Sequence, residues 1–260
     1  MRKIILLLLA IVIFNPSCKK DVRQAPVTLL SQIVTTSGSS TQTYTYQYDS
    51  SNRMIDQKMN GGGLNTTETV NVYDTSNNII KQQTSYGYAP SDFTVYTWAY
   101  PGGSVINSTV STITNNVPQT PQNRVLTLNS KKQVTRLDSG PGAYVLYTYD
   151  TDGNLTGEVQ YATTSPNVFV RFDYTYDNKN SPYANTVGNL YQLGSNSYPH
   201  NWITETYTYY PVNGGAAQVT TYQNVFVYNA DGYPVSKTTT ITDYTGKVST
   251  ATLNYNYLIK

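Results

Sequence analysis

The chain has very little cysteine, histidine or tryptophan: one Cys, one His and two Trp in 260 residues. A single thiol excludes a disulfide framework within the chain. A single imidazole excludes a His-based metal cluster and any relay that needs a second histidine. Charged residues are also scarce, at 12%, and their signs balance. Lys and Arg number 17 against 15 Asp and Glu; residues 1–17 hold Arg2 and Lys3 and no acid, so the remainder carries 15 of each sign. No basic stripe is left for a nucleic acid to follow. Lys131-Lys132, the longest basic run beyond residue 27, lies in a turn-like sequence. No stretch of a dozen residues shows a 3.6-residue apolar stripe, so helices are not expected.

The longest uninterrupted apolar run is Ile4–Phe14, which follows Arg2 and Lys3. It is shorter than the roughly 20 apolar residues that a bilayer-spanning helix needs, and it reads as the core of a secretory signal. Asn15-Pro16-Ser17-Cys18 follows directly, with a small residue before the lone cysteine. That is the pattern of a bacterial lipoprotein box, although Asn15 stands where an aliphatic residue is usual. The expected organisation is a signal peptide over residues 1–17, a lipidated tether over 18–27 starting at Cys18, and one domain over 28–260. The expected address is the outer membrane, as a lipoprotein facing the periplasm or the cell surface, with the membrane as partner through the lipid.

What the chain does have is tyrosine, 26 of them. The phrase Tyr147-Thr-Tyr149-Asp150-Thr-Asp-Gly153-Asn-Leu155 recurs in looser form at Tyr46–Met54 and Phe226–Gly232. Each copy reads as a strand, a tight turn and a returning strand. Turn-leading residues fall at Tyr48, Tyr73, Tyr100, Leu128, Tyr149, Tyr176, Tyr210, Tyr228 and Tyr255, mostly in steps that suit a hairpin of two eight- to ten-residue strands. Within strands the alternation is strong. Val168, Val170, Phe172, Tyr174 and Tyr176 share one face, and Arg171, Asp173 and Thr175 the other. Ala251, Leu253, Tyr255, Tyr257 and Ile259 alternate in the same way with Thr252, Asn254 and Asn256. A period of two with one polar face marks antiparallel sheet. The fold class is therefore all-β, a large antiparallel meander of hairpins. On the order of 14–18 strands is more than an open twisted sheet carries without curling, so a barrel-like sheet is expected.

The Tyr147–Leu155 phrase resembles the YD repeat of Rhs-type proteins. The segment from Phe172 through Tyr176-Asp177 to Pro182-Tyr183, followed by Asn201-Trp202-Ile203-Thr204-Glu205, is similar to a family of uncharacterised Bacteroidetes-type lipoproteins. That resemblance implies a porin-like barrel and a cell-envelope address. It implies no reaction.

Few residues suggest chemistry. His200 has no Gly-x-Ser-x-Gly elbow to accompany it and reads as a loop residue. Asp150-Thr-Asp152-Gly153 has its glycine in the wrong place for a calcium loop and reads as a turn. No metal or other cofactor is expected. Asp173, Asp177 and Glu205 are the carboxylates from which a glycosidase pair would be drawn. Aromatic platforms are the stronger lead. Trp98 lies just before Tyr100-Pro-Gly-Gly103, and the non-repeat segment 180–204 holds Tyr183, Tyr191, Tyr198, His200 and Trp202. Exposed rings there would stack on a sugar or peptide. The expected function is a non-catalytic binding or structural module of the cell envelope, with a glycan or cell-surface protein as ligand. The alternatives are a glycan-processing enzyme using paired carboxylates and a small outer-membrane pore. A membrane pore would set an outward Tyr face against lipid, where phenolic hydroxyls lack partners.

Overall fold

The computed structural model describes residues 26–62, 65–162, 168–187 and 198–260, and these contain strands and turns but no helix. The first half comprises β1 (Thr28–Ser37), β2 (Ser40–Tyr48), β3 (Met54–Asn60), β4 (Thr66–Tyr73), β5 (Ile79–Tyr86), β6 (Ala89–Gly102), β7 (Val105–Thr114) and the two-residue β8 (Val117–Pro118). The second half comprises β9 (Gln122–Leu128), β10 (Val134–Asp138), β11 (Tyr144–Tyr149), β12 (Leu155–Tyr161), β13 (Val168–Asn180), β14 (His200–Tyr209), β15 (Gln218–Tyr228), β16 (Pro234–Thr242) and β17 (Val248–Ile259). Apart from β8, which pairs only with β7, each strand pairs antiparallel with the next; β7 pairs with β9 past β8, and β1 pairs with both β2 and β17. The ring is closed: a 16-strand antiparallel barrel with β8 as a small extra in one connection.

The two rims differ in chemistry. At one, four-residue turns begin at Asp49, Asp74, Asn129, Asp150 and Asn229, and the side-chain oxygen of each accepts the backbone N–H groups two and four residues on. The fourth turn residue has positive φ: Asn52 at 62°, Asn77 at 66°, Lys132 at 64°, Gly153 at 96° and Gly232 at 79°. Asn and Gly suit that conformation and lysine does not. Gly153 therefore occupies the turn position that the repeat requires. Three expected turn leaders behave otherwise. Tyr210 precedes a turn at the opposite rim, and Tyr176 and Tyr255 lie inside β13 and β17.

The repeated tyrosine has a structural role beyond packing. Tyr73, Tyr100, Tyr149 and Tyr257 donate their hydroxyls to the carbonyls of Met54, Ile79, Val134 and Pro234 at 2.8, 2.7, 2.8 and 2.7 Å. Each acceptor opens the strand that follows the neighbouring turn. The hydroxyls thus tie successive hairpins together along this rim and pair carbonyls next to the register shifts.

The tyrosine face points inward. Leu30, Ile33, Tyr46, Met54 and Tyr255 form one buried cluster, and Ile79, Trp98, Ile106, Leu126 and Val134 form another. Both lie at the Asx-turn rim and make it a packed floor. Residues 181–187 close it further. Asn185 Nδ2 donates to the Thr28 carbonyl and to Tyr233 Oη, Val187 N–H donates to the Asn52 carbonyl, and the Tyr183 ring meets Tyr46 edge-on at 6.0 Å.

The outward face is mostly polar, with a Tyr144–Tyr161 ring stack beside Arg136. Threonines line it on β2 (Thr41, Thr43, Thr45), β14 (Thr204, Thr206, Thr208) and β16 (Thr238, Thr240, Thr242). Lys58 bridges Asp56 and Glu68 at 3.5 and 2.9 Å, Arg136 holds Asp138 at 2.6 Å, and Arg171 holds Asp173 at 2.7 Å. Exposed valines such as Val70, Val72, Val225 and Val227 are interspersed among these groups.

Candidate functional site

Ser181, Pro182, Tyr183 and Tyr198, from the connection between β13 and β14, help to line a cavity of about 100 Å³ just above the floor. Its wall brings together Tyr183, Tyr198, His200 and Trp202, four residues singled out in the sequence, with Phe226 from β15, Lys237 from β16 and Tyr255 from β17. Pairing explains why they converge. Asn224 opposes Thr239, and Phe226 opposes Lys237, which in turn opposes Leu253, so these side chains share the inner face with Trp202 across four consecutive strands.

Lys237 is only 8% exposed, and its ammonium lies 4.5 Å from the Trp202 ring centre and 5.9 Å from that of Phe226. Burial pushes this amine down to about 8, and the Glu205 carboxylate acts in the opposite direction. Among the described residues no carboxylate comes within ion-pair distance of it. Asn201, also in the cavity wall, donates through Nδ2 to the Asn180 carbonyl at 3.0 Å, while its Oδ1 is buried without a hydrogen-bond partner.

His200 is held in place by Asn154, itself 1% exposed. Asn154 Nδ2 contacts His200 Nδ1 at 3.1 Å and its Oδ1 accepts the His200 backbone N–H. A donated N–H at Nδ1 leaves the ring proton on Nε2, and no carboxylate orients the ring as a triad would. Tyr198 packs edge-on against Tyr176 at 5.9 Å, and burial raises its phenol well above the ordinary value.

The remaining sequence candidates fall elsewhere. Trp98 is 7% exposed, stacked on Tyr96 at 5.7 Å inside the floor cluster. Its ring offers no platform, because it shares the inner face with Tyr96 and Tyr100 rather than standing in the turn. Tyr191 and Cys18 lie outside the described residues. The carboxylates considered for hydrolysis do not converge. Asp173 is held bidentately by Arg171 on the outer wall, and Asp177 accepts from the Tyr228 hydroxyl and the Asn201 amide. Glu205 points into the lumen, where Glu158 is a second carboxyl raised by burial. Among the described residues no group of three or more His, Cys, Asp or Glu is placed to hold a metal.

Sequence reasoning missed Lys237. It sits in a Thr-rich strand, and its parity with Thr239 and Ile241 puts it on the inner face.

No family model matches the chain, and no curated protein does. Among solved structures, a porin-like protein from Bacteroides uniformis is similar over 88% of this chain and 96% of its own, at 12% identity and a TM-score of 0.51. A porin-like protein from Bacteroides vulgatus is similar over 89% of this chain and 99% of its own, at 11% identity and a TM-score of 0.45. At such identities what the chain has in common with the first of these is its fold, and this is an all-β barrel of porin-like architecture.

Proposed function

We propose that this barrel stands in water at the cell envelope, tethered by a lipid on Cys18, and binds a ligand in its lumen without catalysing a reaction. The observation that carries the reading is the sorting of side chains: most of the strand tyrosines and one aromatic-caged lysine inside, threonine and acid–base pairs outside. A lipid-facing Lys or Arg at mid-bilayer costs about 2–4 kcal/mol, which argues against an outer wall bearing Lys58, Arg136 and Arg171. Strand length argues the same way. A tilted transmembrane strand needs about 9–11 residues; β10 has five, β11 six, and β3, β9 and β12 seven each. Tyr198, His200 and Trp202 supply the binding surface, held by a rigid scaffold as ligand residues tend to be.

β1 begins at the floor rim, so a tether running back to Cys18 would set the floor toward the membrane and the mouth away from it. In fractionation, wild type is expected with the membrane and Cys18→Ala in the soluble fraction. A chain starting at residue 19 is expected to be monodisperse without detergent. Unchanged partitioning of Cys18→Ala, with a need for detergent and conductance in planar bilayers, would replace this reading by the pore. On a glycan array, wild type is expected to bind and Trp202→Ala to lose binding; equal binding by both removes Trp202 from the site.

A further inference from the structure

The cavity above the floor presents a buried ammonium set against two ring faces, with no carboxylate within ion-pair distance among the described residues. Lys237 contacts Trp202 and Phe226 by their ring faces and forms no ion pair among the described residues. The Glu205 carboxylate acts on it only from beyond ion-pair distance, and burial removes hydration that a ring quadrupole does not fully replace, so the charge is under-compensated.

We infer that this cavity is an acid subsite, in which Lys237 takes one carboxylate of a uronic-acid-type saccharide whose ring lies against Trp202 and Phe226. The inference rests on the lumen-binding reading above and names the ligand class for that same site. Size and charge favour a carboxylate. About 100 Å³ admits one such group with part of its ring, and a single cation suits one negative charge, whereas a phosphate dianion calls for more donors. The flat faces of Trp202 and Phe226 suit the C–H face of a pyranose.

Besides Lys237, the titratable groups that line the cavity are His200 on β14, Tyr255 on β17, and Tyr183 and Tyr198 between β13 and β14; Glu205, outside the lining, acts on Lys237 by its charge. With its amine near 8, Lys237 is mainly protonated at pH 7 and mainly neutral at pH 9.5. Its attraction for an anion is thus lost over that interval, and carboxylate binding at pH 8 to 9 draws a proton onto it.

Titration calorimetry with trigalacturonate and its fully methyl-esterified form tests this. Wild type at pH 7 is expected to bind the acid at least tenfold more tightly than the ester. Lys237→Met should bring the acid down to the affinity of the ester, and Trp202→Ala should weaken both. Raising the pH to 9.5 should remove the preference in wild type, an arm that depends on no variant's folding. Equal binding of acid and ester by wild type, or an intact preference in Lys237→Met, overturns the acid subsite. If Trp202→Ala still weakens that unselective binding, the lumen site survives without it. Binding of neither saccharide overturns both.

Discussion

The Asx turns at the floor rim carry a stability cost that Asp150 makes measurable. Its carboxylate accepts from Asp152 N–H at 3.0 Å, Asn154 N–H at 2.8 Å and Asn154 Nδ2 at 2.8 Å. The Asp152 amide is exposed, so water replaces that bond after truncation. Asn154 is 1% exposed, so its backbone N–H would be left unpaired, and an orphaned buried donor costs about 1–3 kcal/mol. Asp150→Ala is therefore expected to lose about 2–3 kcal/mol in urea denaturation, as a lower midpoint at unchanged slope. Asp150→Asn keeps one acceptor oxygen but turns the other into a donor facing Asn154. The Asn129 turn tolerates an amide here because Gln133 Oε1 accepts from it; Asn154 is already committed to His200. About 1 kcal/mol is expected for Asp150→Asn. Burial raises the Asp150 carboxyl, but the hydrogen bonds from Asn154, Gly153 and Asp152 outweigh it and set the group below its ordinary 3.8. A depressed carboxylate stabilises fully above its unfolded value and loses that contribution as pH falls through its folded value. The gap between wild type and Asp150→Asn should therefore be constant above about pH 5 and close at lower pH. A loss under 0.5 kcal/mol for Asp150→Ala, or a larger loss for Asn than for Ala, would refute the account.

Gly153→Val should cost about 1–2 kcal/mol by thermal denaturation. The added Cβ meets the movable Gln133 Nε2 at 3.2 Å and Pro199 Cγ at an ordinary 4.0 Å, so the cost lies in the backbone at φ 96°. Lys132→Gly is expected to gain about 1 kcal/mol in the same assay, because a lysine now occupies φ 64°. Tyr149→Phe leaves the Val134 carbonyl without its 2.8 Å hydroxyl and should lose about 1 kcal/mol by urea denaturation. Tyr183→Ala removes the ring that meets Tyr46 at 6.0 Å and should lose about 3–5 kcal/mol, read as a drop in melting temperature.

Much of the barrel was legible because its signals are local. Tyr149-Asp150 followed by Gly153 states a turn, and the alternation from Val168 to Tyr176 states a strand with two unlike faces. Which face turns inward is not local; it is decided by closure, through β1 pairing with β17. A lipid-facing Tyr surface was accordingly the wrong geometry against which to weigh a pore, since those rings fill the lumen. Trp98 was read by its nearness to a turn, although its parity with Tyr96 and Tyr100 already placed it with the packed rings. The convergence of Tyr183, Tyr198, His200 and Trp202 was legible as an interruption of the repeat. The lysine they enclose was not, because it comes from a strand more than thirty residues away and meets them only when β14, β15 and β16 lie side by side.

Closure also orders the assembly of the chain in time. Every neighbouring pair of strands from β1 to β17 is formed from sequence already adjacent, except the seam, where Thr28 meets Ile259 and Val27 exchanges backbone bonds with Lys260. Hairpins can zip as they emerge during synthesis, but the seam must wait for the last dozen residues. Until then β1 and the most recently formed strand present open edges, and a Tyr/Thr-rich edge is a ready template for another chain. Loss of β17 would therefore leave a sheet with two adhesive margins rather than a slightly smaller barrel, and nonsense truncations late in this chain should appear as aggregates.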